Sequence, residues 1–321
     1  MYRGTNCRKD IIVHYESISK RASPSDNIVF KLRRLRLLGL QEAVRGSSST
    51  DNIKPKEIAI LMNHFQDEKI NQTLSLFLKD IQYILSDKLL SVYIYGSALH
   101  NDLCPGYGDL DYLVIVNNNL TSNEIDRLNR LRGTYRSEYD LFTSMLEGAF
   151  LPLQLIQEEE GQALWWGTKG ENVWSNNQLD LFTMYTIKNQ GMLLYGESQN
   201  HIMPEISNDE IRQFLIDFSI CMRKHGKGGS LHSIDWLLLT AKFIGWLKEG
   251  IIFSKSQAAD WGLKNIKSNW KEHLHKAKEL RKDPSKVKFS EYIEWINSLD
   301  VVIIEASNDL DMYLNEGANI L

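Results

Sequence analysis

The chain has 321 residues, of which 43% are hydrophobic and 24% are charged, and its formal net charge is −4. This composition is that of an ordinary globular protein, and it excludes a disordered chain, a collagen and a small disulfide-stabilised scaffold. At roughly 100–200 residues per domain, the length predicts two or three domains. The most apolar stretch, 236–247, is interrupted by Lys242 and is too short to span a bilayer, so no membrane association is expected.

The charge is unevenly distributed along the chain. Residues 1–50 contain ten Lys or Arg and four Asp or Glu, which makes this segment +6 and leaves −10 for the remainder. A basic leader on an acidic body predicts an arm that contacts nucleic acid or another acidic partner. The alternative is a solvated helix that packs against the acidic body of the same chain.

The cysteines and the N-terminal residues indicate the cellular compartment of the protein. Cys7, Cys104 and Cys221 are far apart and no pair has CxxC spacing, so neither a zinc site nor a disulfide framework is indicated. The charged N-terminus is not followed by the apolar stretch of a signal peptide. These features favour a reduced, cytoplasmic location.

Apolar periodicity predicts the elements in chain order. Residues 56–87 predict two helices, 90–95 and 109–116 predict strands, and 141–153 is a third strand candidate. Between the second and third strands, 122–132 predicts a helix that Ser122 can cap. Beyond about residue 176 the pattern is almost entirely helical, with helices expected at 178–191, 208–224, 232–248, 255–264, 267–280 and 288–316.

Asp109 and Asp111 lie two residues apart on the second strand. This spacing places both carboxylates on one face, about 7 Å apart along the chain. Two acids on a buried strand repel each other and are costly to desolvate, and a divalent cation relieves that cost. Mg²⁺ prefers one or two carboxylates together with phosphate oxygens, so the pair predicts a magnesium site.

The first strand ends at Gly96-Ser97, twelve residues before Asp109. Backbone N–H groups and a serine hydroxyl at the start of a helix can hold a phosphate, and glycine lets the phosphate approach closely. Neither Gly-Ser nor Asp-x-Asp is specific alone. The combination of apolar strand, Gly-Ser, Asp-x-Asp and a further apolar run predicts a nucleotide site.

The residues Tyr95–Ala98 and Pro105–Val114 together resemble the signature of the polymerase-β-like nucleotidyltransferases. The closer resemblance is to the aminoglycoside adenylyltransferases that modify streptomycin and spectinomycin. It continues through Leu146–Pro152, through Leu179–Glu197 and through Gly250–Trp261, and it covers about residues 75–315.

The resemblance implies an α+β fold, in which a small mixed-sheet nucleotidyltransferase domain is followed by an all-helical C-terminal domain. We accordingly expect a basic, mostly helical N-terminal extension at 1–70, the nucleotidyltransferase domain at 71–160 and the helical domain at 161–321.

The resemblance also implies a reaction. A hydroxyl of a small molecule, plausibly an aminoglycoside-type antibiotic, attacks the α-phosphorus of ATP, so that AMP is transferred and pyrophosphate leaves. Asp109 and Asp111 correspond to the ligands of two Mg²⁺ ions, and Gly96 and Ser97 to the triphosphate contacts. Glu147 corresponds to the general base, with a metal ligand or a plain charged strand end as the alternatives.

Two lysines fall where related enzymes place phosphate-binding bases. Lys242 lies within an apolar helix, and Lys255 follows Ser254 in a predicted capping box that ends at Gln257. Their alternatives are snorkelling for Lys242 and simple solvation for Lys255. Trp174 lies near the place where the relatives stack a drug ring, with a domain-interface core as the alternative.

Two departures from the family concern the acceptor. The loop 223–230 is basic where relatives that bind cationic drugs carry acids, and Asp235 is the first acid after it and the second predicted acceptor contact. Such a loop would repel a polycationic drug. Gly108 replaces a serine beside the first aspartate. A protein or RNA acceptor, or a nucleotide-binding regulatory module with little turnover, therefore remain alternative functions.

Overall fold

The computed structural model describes the chain in five segments: residues 65–139, 141–157, 161–167, 170–177 and 179–316. The basic arm, and with it most of the predicted N-terminal extension, lies outside the described residues. Within these segments, no helix combines the length and the apolar character needed to cross a membrane.

Six strands form one mixed sheet in the order β5-β4-β3-β2-β1-β6. The strands are β1 Leu89–Ile94, β2 Leu110–Val116, β3 Leu146–Pro152, β4 Ala163–Gly167, β5 Gly170–Trp174 and β6 Met192–Gly196. Strands β2 and β3 are parallel, and every other neighbouring pair is antiparallel. The carboxylate-bearing strands β2 and β3 are neighbouring inner strands of the sheet, and because they are parallel their first residues lie side by side.

The α-helices of the described residues are numbered in chain order. Those within and around the sheet are α1 Glu68–Leu85, α2 Ser122–Ser137, α3 Leu141–Ser144, α4 Leu153–Gln157, α5 Leu181–Gln190 and α6 Gln199–Ile202. Those of the C-terminal region are α7 Asn208–His225, α8 Ile234–Glu249, α9 Lys255–Asn265, α10 His273–Lys282, α11 Ser290–Asn297 and α12 Leu299–Glu316.

The predicted α+β class is confirmed, with a small mixed sheet followed by a helical region. The sheet continues past residue 160, at which we expected the nucleotidyltransferase domain to end, because β4, β5 and β6 complete it. Each of these three strands is only five residues long and lacks a clear period-2 alternation, so the sequence did not predict them. The strand candidate at 141–153 is a strand only from Leu146, since Leu141–Ser144 is helical. The helix expected at 288–316 is two helices, and α11 ends at Asn297.

Helix starts follow the capping rules. Three of the described helices begin with a capping box, in which an N-cap hydroxyl and the side chain three residues on satisfy each other's backbone N–H groups. The pairs are Thr121 with Glu124, Ser207 with Glu210, and Ser254 with Gln257. The first pair moves the predicted cap of α2 from Ser122 to Thr121, and the third is the box predicted before Lys255.

Alternation along the central strands buries both faces of the sheet. On one face, Val92, Tyr112 and Val114 pack with Phe77 of α1. On the other face, Leu113 packs in a second cluster that includes Ile187 of α5. Because both faces are covered, the only way for a charged side chain of β2 or β3 to avoid full burial is to lie at a strand end.

The helical region has its own core, built around α8, whose residues are buried on nearly every side. Cys104 and Tyr107, from the loop between β1 and β2, also belong to this core. The loop that carries the chain from Ser97 to Asp109 is therefore held by the helical region and not by the sheet alone.

A buried ion pair joins the same loop to α10. Arg281 Nη1 lies 2.9 Å from Asp102 Oδ1, and Arg281 Nη2 donates to the Asp102 carbonyl at 2.8 Å. The Ser256 backbone N–H, at the start of α9, donates to Asp102 Oδ2 at 3.1 Å. Arg281 side-chain exposure is 2% and that of Asp102 is 9%, so both charges depend on each other and not on water.

Replacing Arg281 by Met should destabilise the fold by about 3–5 kcal/mol, because the Asp102 carboxylate then remains buried without its counter-charge. Urea unfolding at neutral pH measures this loss. The control is K227M, which breaks the exposed Lys227–Asp300 pair and should cost below about 1 kcal/mol. Equal losses in the two variants would contradict the structural role of the buried pair, and R281M/D102N should recover part of the R281M loss.

Candidate active site

Three carboxyl groups meet where β2 and β3 begin. Asp111 and Glu147 are direct partners across the parallel pair, and Asp109 immediately precedes β2. Asp109 also shares a side-chain hydrogen bond with Glu147. The side chain of Glu147 is buried and those of the two aspartates are half-buried. The structure thus brings together all three acids that the sequence predicted to act in catalysis.

This clustering shifts the protonation of the aspartates. Burial, followed by the charges of Glu147 and Asp111, raises the pKa of Asp109 to about 8. Burial and the Glu147 charge raise the pKa of Asp111 to about 7. Both shifts have the sign expected when like charges are held together in a partly dry site.

The donor chemistry fits a magnesium ion. Within the described residues, no group of three or more His, Cys, Asp or Glu side chains has the arrangement of a ready-made metal site. Mg²⁺, however, binds through one or two carboxylates and completes its shell with water and substrate phosphates. The cost of placing Asp109 and Asp111 together, visible in their raised pKa values, is one that a divalent cation would offset.

Gly96 lies directly against the Asp111 carboxylate. Its φ is +77°, and a Cβ at this position would overlap Asp111 Oδ2. The neighbouring Tyr95 N–H donates to the carbonyl of Asp111 at 3.1 Å, so the backbone just before Gly96 is hydrogen-bonded to β2. The helix expected after Gly96-Ser97 is a single short 3-10 helix, Gly96–His100. Triphosphate binding by Gly96 and Ser97 stays a prediction.

Lys242 lies on α8, half-buried, with Nζ 5.3 Å from the centre of the Phe182 ring. Burial, and then repulsion from Lys255, lowers the pKa of Lys242 to about 8, while Asp180 and Asp111 oppose the shift. Lys242 therefore interacts electrostatically with both the second lysine and the acidic cluster.

Lys255 is the first residue of α9, as predicted, and its ammonium group is paired. Its Nζ lies 2.7 Å from Asp235 Oδ1. The positive charge of Lys255 also acts to lower the pKa values of Asp109 and Asp111, against the larger effects that raise them. The structure thus pairs Lys255 with Asp235, one of the two predicted acceptor contacts, and the charge of Lys255 acts on the acidic cluster.

The other predicted acceptor contact, Trp174, lies farther along the sheet. It ends the edge strand β5, which β4 separates from β3. Trp174 is half-buried, whereas Trp166 of β4 is fully buried against Phe77 and Tyr112 and belongs to the sheet core. Acceptor binding by Trp174 stays a prediction.

The basic loop expected to repel a cationic acceptor is bound to α12 instead. Arg223 pairs with Asp311, and Lys227 pairs with Asp300, which also accepts from the Gly228 N–H. Because two of the bases in this segment are matched by acids of the same helical region, the expected repulsion of a polycationic drug is weakened. The partners lie 73 to 88 residues away along the chain, so no local sequence pattern indicates them.

Two residues near the site, Asp180 and His100, were not predicted from the sequence. Asp180 caps α5 and raises the pKa of Lys242, opposing its burial. His100 ends the 3-10 helix, and burial, followed by the Lys242 charge, lowers its pKa. The N-cap pattern Asp180-x-x-Thr183 could have identified the first of these, whereas no local signal marks His100.

Residues 201–303 match the family model described as "Aminoglycoside adenylyltransferase, C-terminal domain". The chain is also similar to a crystal structure of spectinomycin adenyltransferase AAD(9) from Enterococcus faecialis, solved with ATP and spectinomycin. That similarity has a TM-score of 0.57 and 20% identity over 75% of this chain and 98% of the other. The resemblance predicted from the sequence is confirmed.

Two further comparisons add little. The c-di-GMP synthase CdnE, STING-associated, from Capnocytophaga granulosa aligns over 90% of this chain and 93% of its own, but with 17% identity and a TM-score of only 0.22. None of the curated proteins compared with the chain matches it significantly. The family model and the spectinomycin adenyltransferase therefore carry the assignment of the fold.

Replacing Gly96 by Ala should destabilise the protein more than the same change at Gly250. Both residues have φ values that disfavour a side chain, +77° and +66°, which costs about 1–2 kcal/mol. A Cβ at Gly250 meets no atom within 4 Å, whereas at Gly96 it overlaps the Asp111 carboxylate. The overlap should add about 1–3 kcal/mol in urea unfolding. Equal losses would show that the Asp111 carboxylate is not held against the turn.

Proposed function

We propose that this protein is a Mg²⁺-dependent nucleotidyltransferase that transfers AMP from ATP to a hydroxyl of a small molecule and releases pyrophosphate. The observation that carries the proposal is the meeting of Asp109, Asp111 and Glu147 at one end of the parallel pair β2–β3. The match of the helical region to an aminoglycoside adenylyltransferase domain supports an antibiotic of that class as the acceptor. The reaction belongs in the cytoplasm, where ATP and Mg²⁺ are available.

Asp109 and Asp111 are assigned to hold the magnesium ions. When bound there, Mg²⁺ would neutralise the charge that develops on the phosphate oxygens during the displacement. The protein's own part is to keep two carboxylates close together in a partly buried place. The raised pKa values of Asp109 and Asp111 are the electrostatic cost of that arrangement.

Glu147 is assigned as the general base. The acceptor hydroxyl oxygen forms a bond to the α-phosphorus, the bond from that phosphorus to the β-phosphate oxygen breaks, and the hydroxyl proton passes to the Glu147 carboxylate. Glu147 lies directly across from Asp111 and is hydrogen-bonded to Asp109, so its carboxyl group is next to the assigned metal ligands. The same position suits a third metal ligand, and the variants below separate the two roles.

The triphosphate is assigned to Gly96 and Ser97, in the 3-10 helix that follows β1, and to Lys242 and Lys255 from the helical region. The two lysines come from different helices, α8 and α9, and their charges repel each other. A polyanion between them would remove that repulsion. Trp174 is assigned to the acceptor, through the stacking surface of its half-buried ring.

The decisive experiment incubates the purified chain with Mg²⁺, each nucleoside triphosphate in turn and a panel of aminoglycoside-type antibiotics. Pyrophosphate release and the mass of the acceptor are the two readouts. We expect pyrophosphate only with ATP and a drug, a drug heavier by one adenylyl group, and loss of both on chelation of the metal. Pyrophosphate release with RNA or protein alone, or nucleotide binding without turnover, would overturn the proposal.

Two variants assign roles in that assay. D109N should abolish pyrophosphate release with the fold intact, because it removes a metal ligand. E147Q should lower turnover by about 10² or more with ATP still bound, as expected for loss of a general base. The exposed carboxylate of Glu205, at the protein surface, supplies the control E205Q, which should be fully active. Loss of ATP binding in E147Q would show that Glu147 is a ligand instead.

The affinity for ATP should weaken as the pH rises through about 8, because the pKa of Lys242 is lowered to about 8 and the neutral amine no longer attracts phosphate. In K242R the guanidinium stays charged, so this loss should be absent. The ratio of the two dissociation constants, followed from about pH 7 to pH 9.5, isolates Lys242 because the acids titrate alike in both proteins. Loss of one charge-assisted contact predicts a change in that ratio of about tenfold. A constant ratio would contradict the assignment.

A further inference from the structure

Lys255 forms an ion pair with a buried acid, Asp235. Asp235 lies in the first turn of α8 and is only 6% exposed. Its Oδ1 lies 2.7 Å from Lys255 Nζ, and its Oδ2 lies 3.5 Å from His232 Nδ1. The Tyr107 ring packs on His232 with ring centres 5.3 Å apart, and its centre is 5.9 Å from Lys255 Nζ. The ammonium group thus has an anion on one side and an aromatic face on another.

Lys255 also interacts electrostatically with the acidic cluster. The charge of Lys255 favours the ionised forms of Asp109 and Asp111, and among the groups that do so for Asp111 its contribution exceeds those of Lys242 and Arg281. Lysine has a flexible four-carbon side chain, so a Lys255 that nothing else held could pair with the aspartates on which its charge acts. Such a pair would occupy the oxygens that the proposed metal ions need.

We propose that Asp235 is a positioning residue, which holds Lys255 off Asp109 and Asp111 so that the acids remain open to Mg²⁺ and the ammonium group faces the triphosphate. This inference rests on the proposed function and assigns Asp235 to the nucleotide side of the reaction. It replaces the predicted contact between Asp235 and the acceptor.

Two opposing effects determine whether Asp235 strengthens or weakens ATP binding. The Asp235 carboxylate competes with phosphate for Lys255, which weakens ATP binding. Against this, a lysine side chain loses about 2 kcal/mol of rotamer entropy when it is fixed, and the ion pair fixes it before ATP arrives. An ammonium group has three donors, so one bond to Asp235 leaves two for phosphate oxygens. Because removal of Asp235 also frees Lys255 to pair with the metal ligands, the net effect of Asp235 is to strengthen binding.

The test measures binding of α,β-methylene ATP, which cannot transfer AMP, at a series of Mg²⁺ concentrations. D235N should weaken binding by about tenfold, the loss typical of one charge-assisted contact, and should require more Mg²⁺ for half-saturation. In the transfer assay, its KM for ATP should rise while its KM for the drug stays constant. The matched control is D260N. Asp260 lies on α9, the helix that begins at Lys255, and it pairs with Lys278 of α10. D260N should bind like the wild type.

A double-mutant cycle separates positioning from other roles. K255M should also weaken binding, and in K255M the further change D235N should have no effect on it, because the lysine that Asp235 positions is gone. D235E, which keeps the charge, should bind nearly as the wild type does, and it carries the test if D235N fails to fold. Unchanged or tighter binding in D235N, a raised KM for the drug, or additive losses in the cycle would overturn the inference. If the wild type itself binds no nucleotide, the proposed function fails instead.

Discussion

Mutual repulsion between Asp109, Asp111 and Glu147 is the constraint on which the site depends. The parallel pairing of β2 with β3 places Asp111 and Glu147 side by side, and the chain has no freedom to move one without breaking the register. Both faces of these strands are covered by hydrophobic clusters, so the carboxyl groups can only gather at the strand ends. The resulting cost appears as raised pKa values for both aspartates. A fold selected for stability alone would not keep this arrangement.

The positive side of the site comes from elsewhere in the chain. Lys242 and Lys255 belong to the helical region, so the relative placement of sheet and helices decides how far each lysine lies from the acids. The Asp102–Arg281 pair bears on that placement directly, because Asp102 also accepts from the backbone of Ser256, the residue after Lys255. The loop that leads to Asp109 and Asp111 and the helix that begins at Lys255 are thereby fixed to each other.

Much of the fold and of the acidic cluster could be predicted from the sequence because the signals are local. Asp109 and Asp111 share a face through simple alternation, and the capping box at Ser254 locates Lys255 at the start of α9. What escaped prediction depends on distant partners. Asp102 and Arg281 are 179 residues apart, and two bases of the 223–230 segment, Arg223 and Lys227, pair with acids on α12. Strands β4 and β5 lie in a glycine-punctuated segment without clean alternation, so only their pairing in the sheet defines them.

The acids and the lysines of the site each suffer repulsion between like charges. Asp111 is raised in pKa by burial beside Glu147, and Lys242 is lowered in pKa by burial beside Lys255, so each half holds like charges closer than water would allow. The two halves offset each other only in part, since the shifts persist although both lysines act on Asp111. A magnesium–triphosphate complex carries a cation for the acids and an anion for the lysines in one ligand. Under the proposed function, such a ligand would relieve both repulsions at once, whereas a free metal ion or a free polyanion would relieve only one of them.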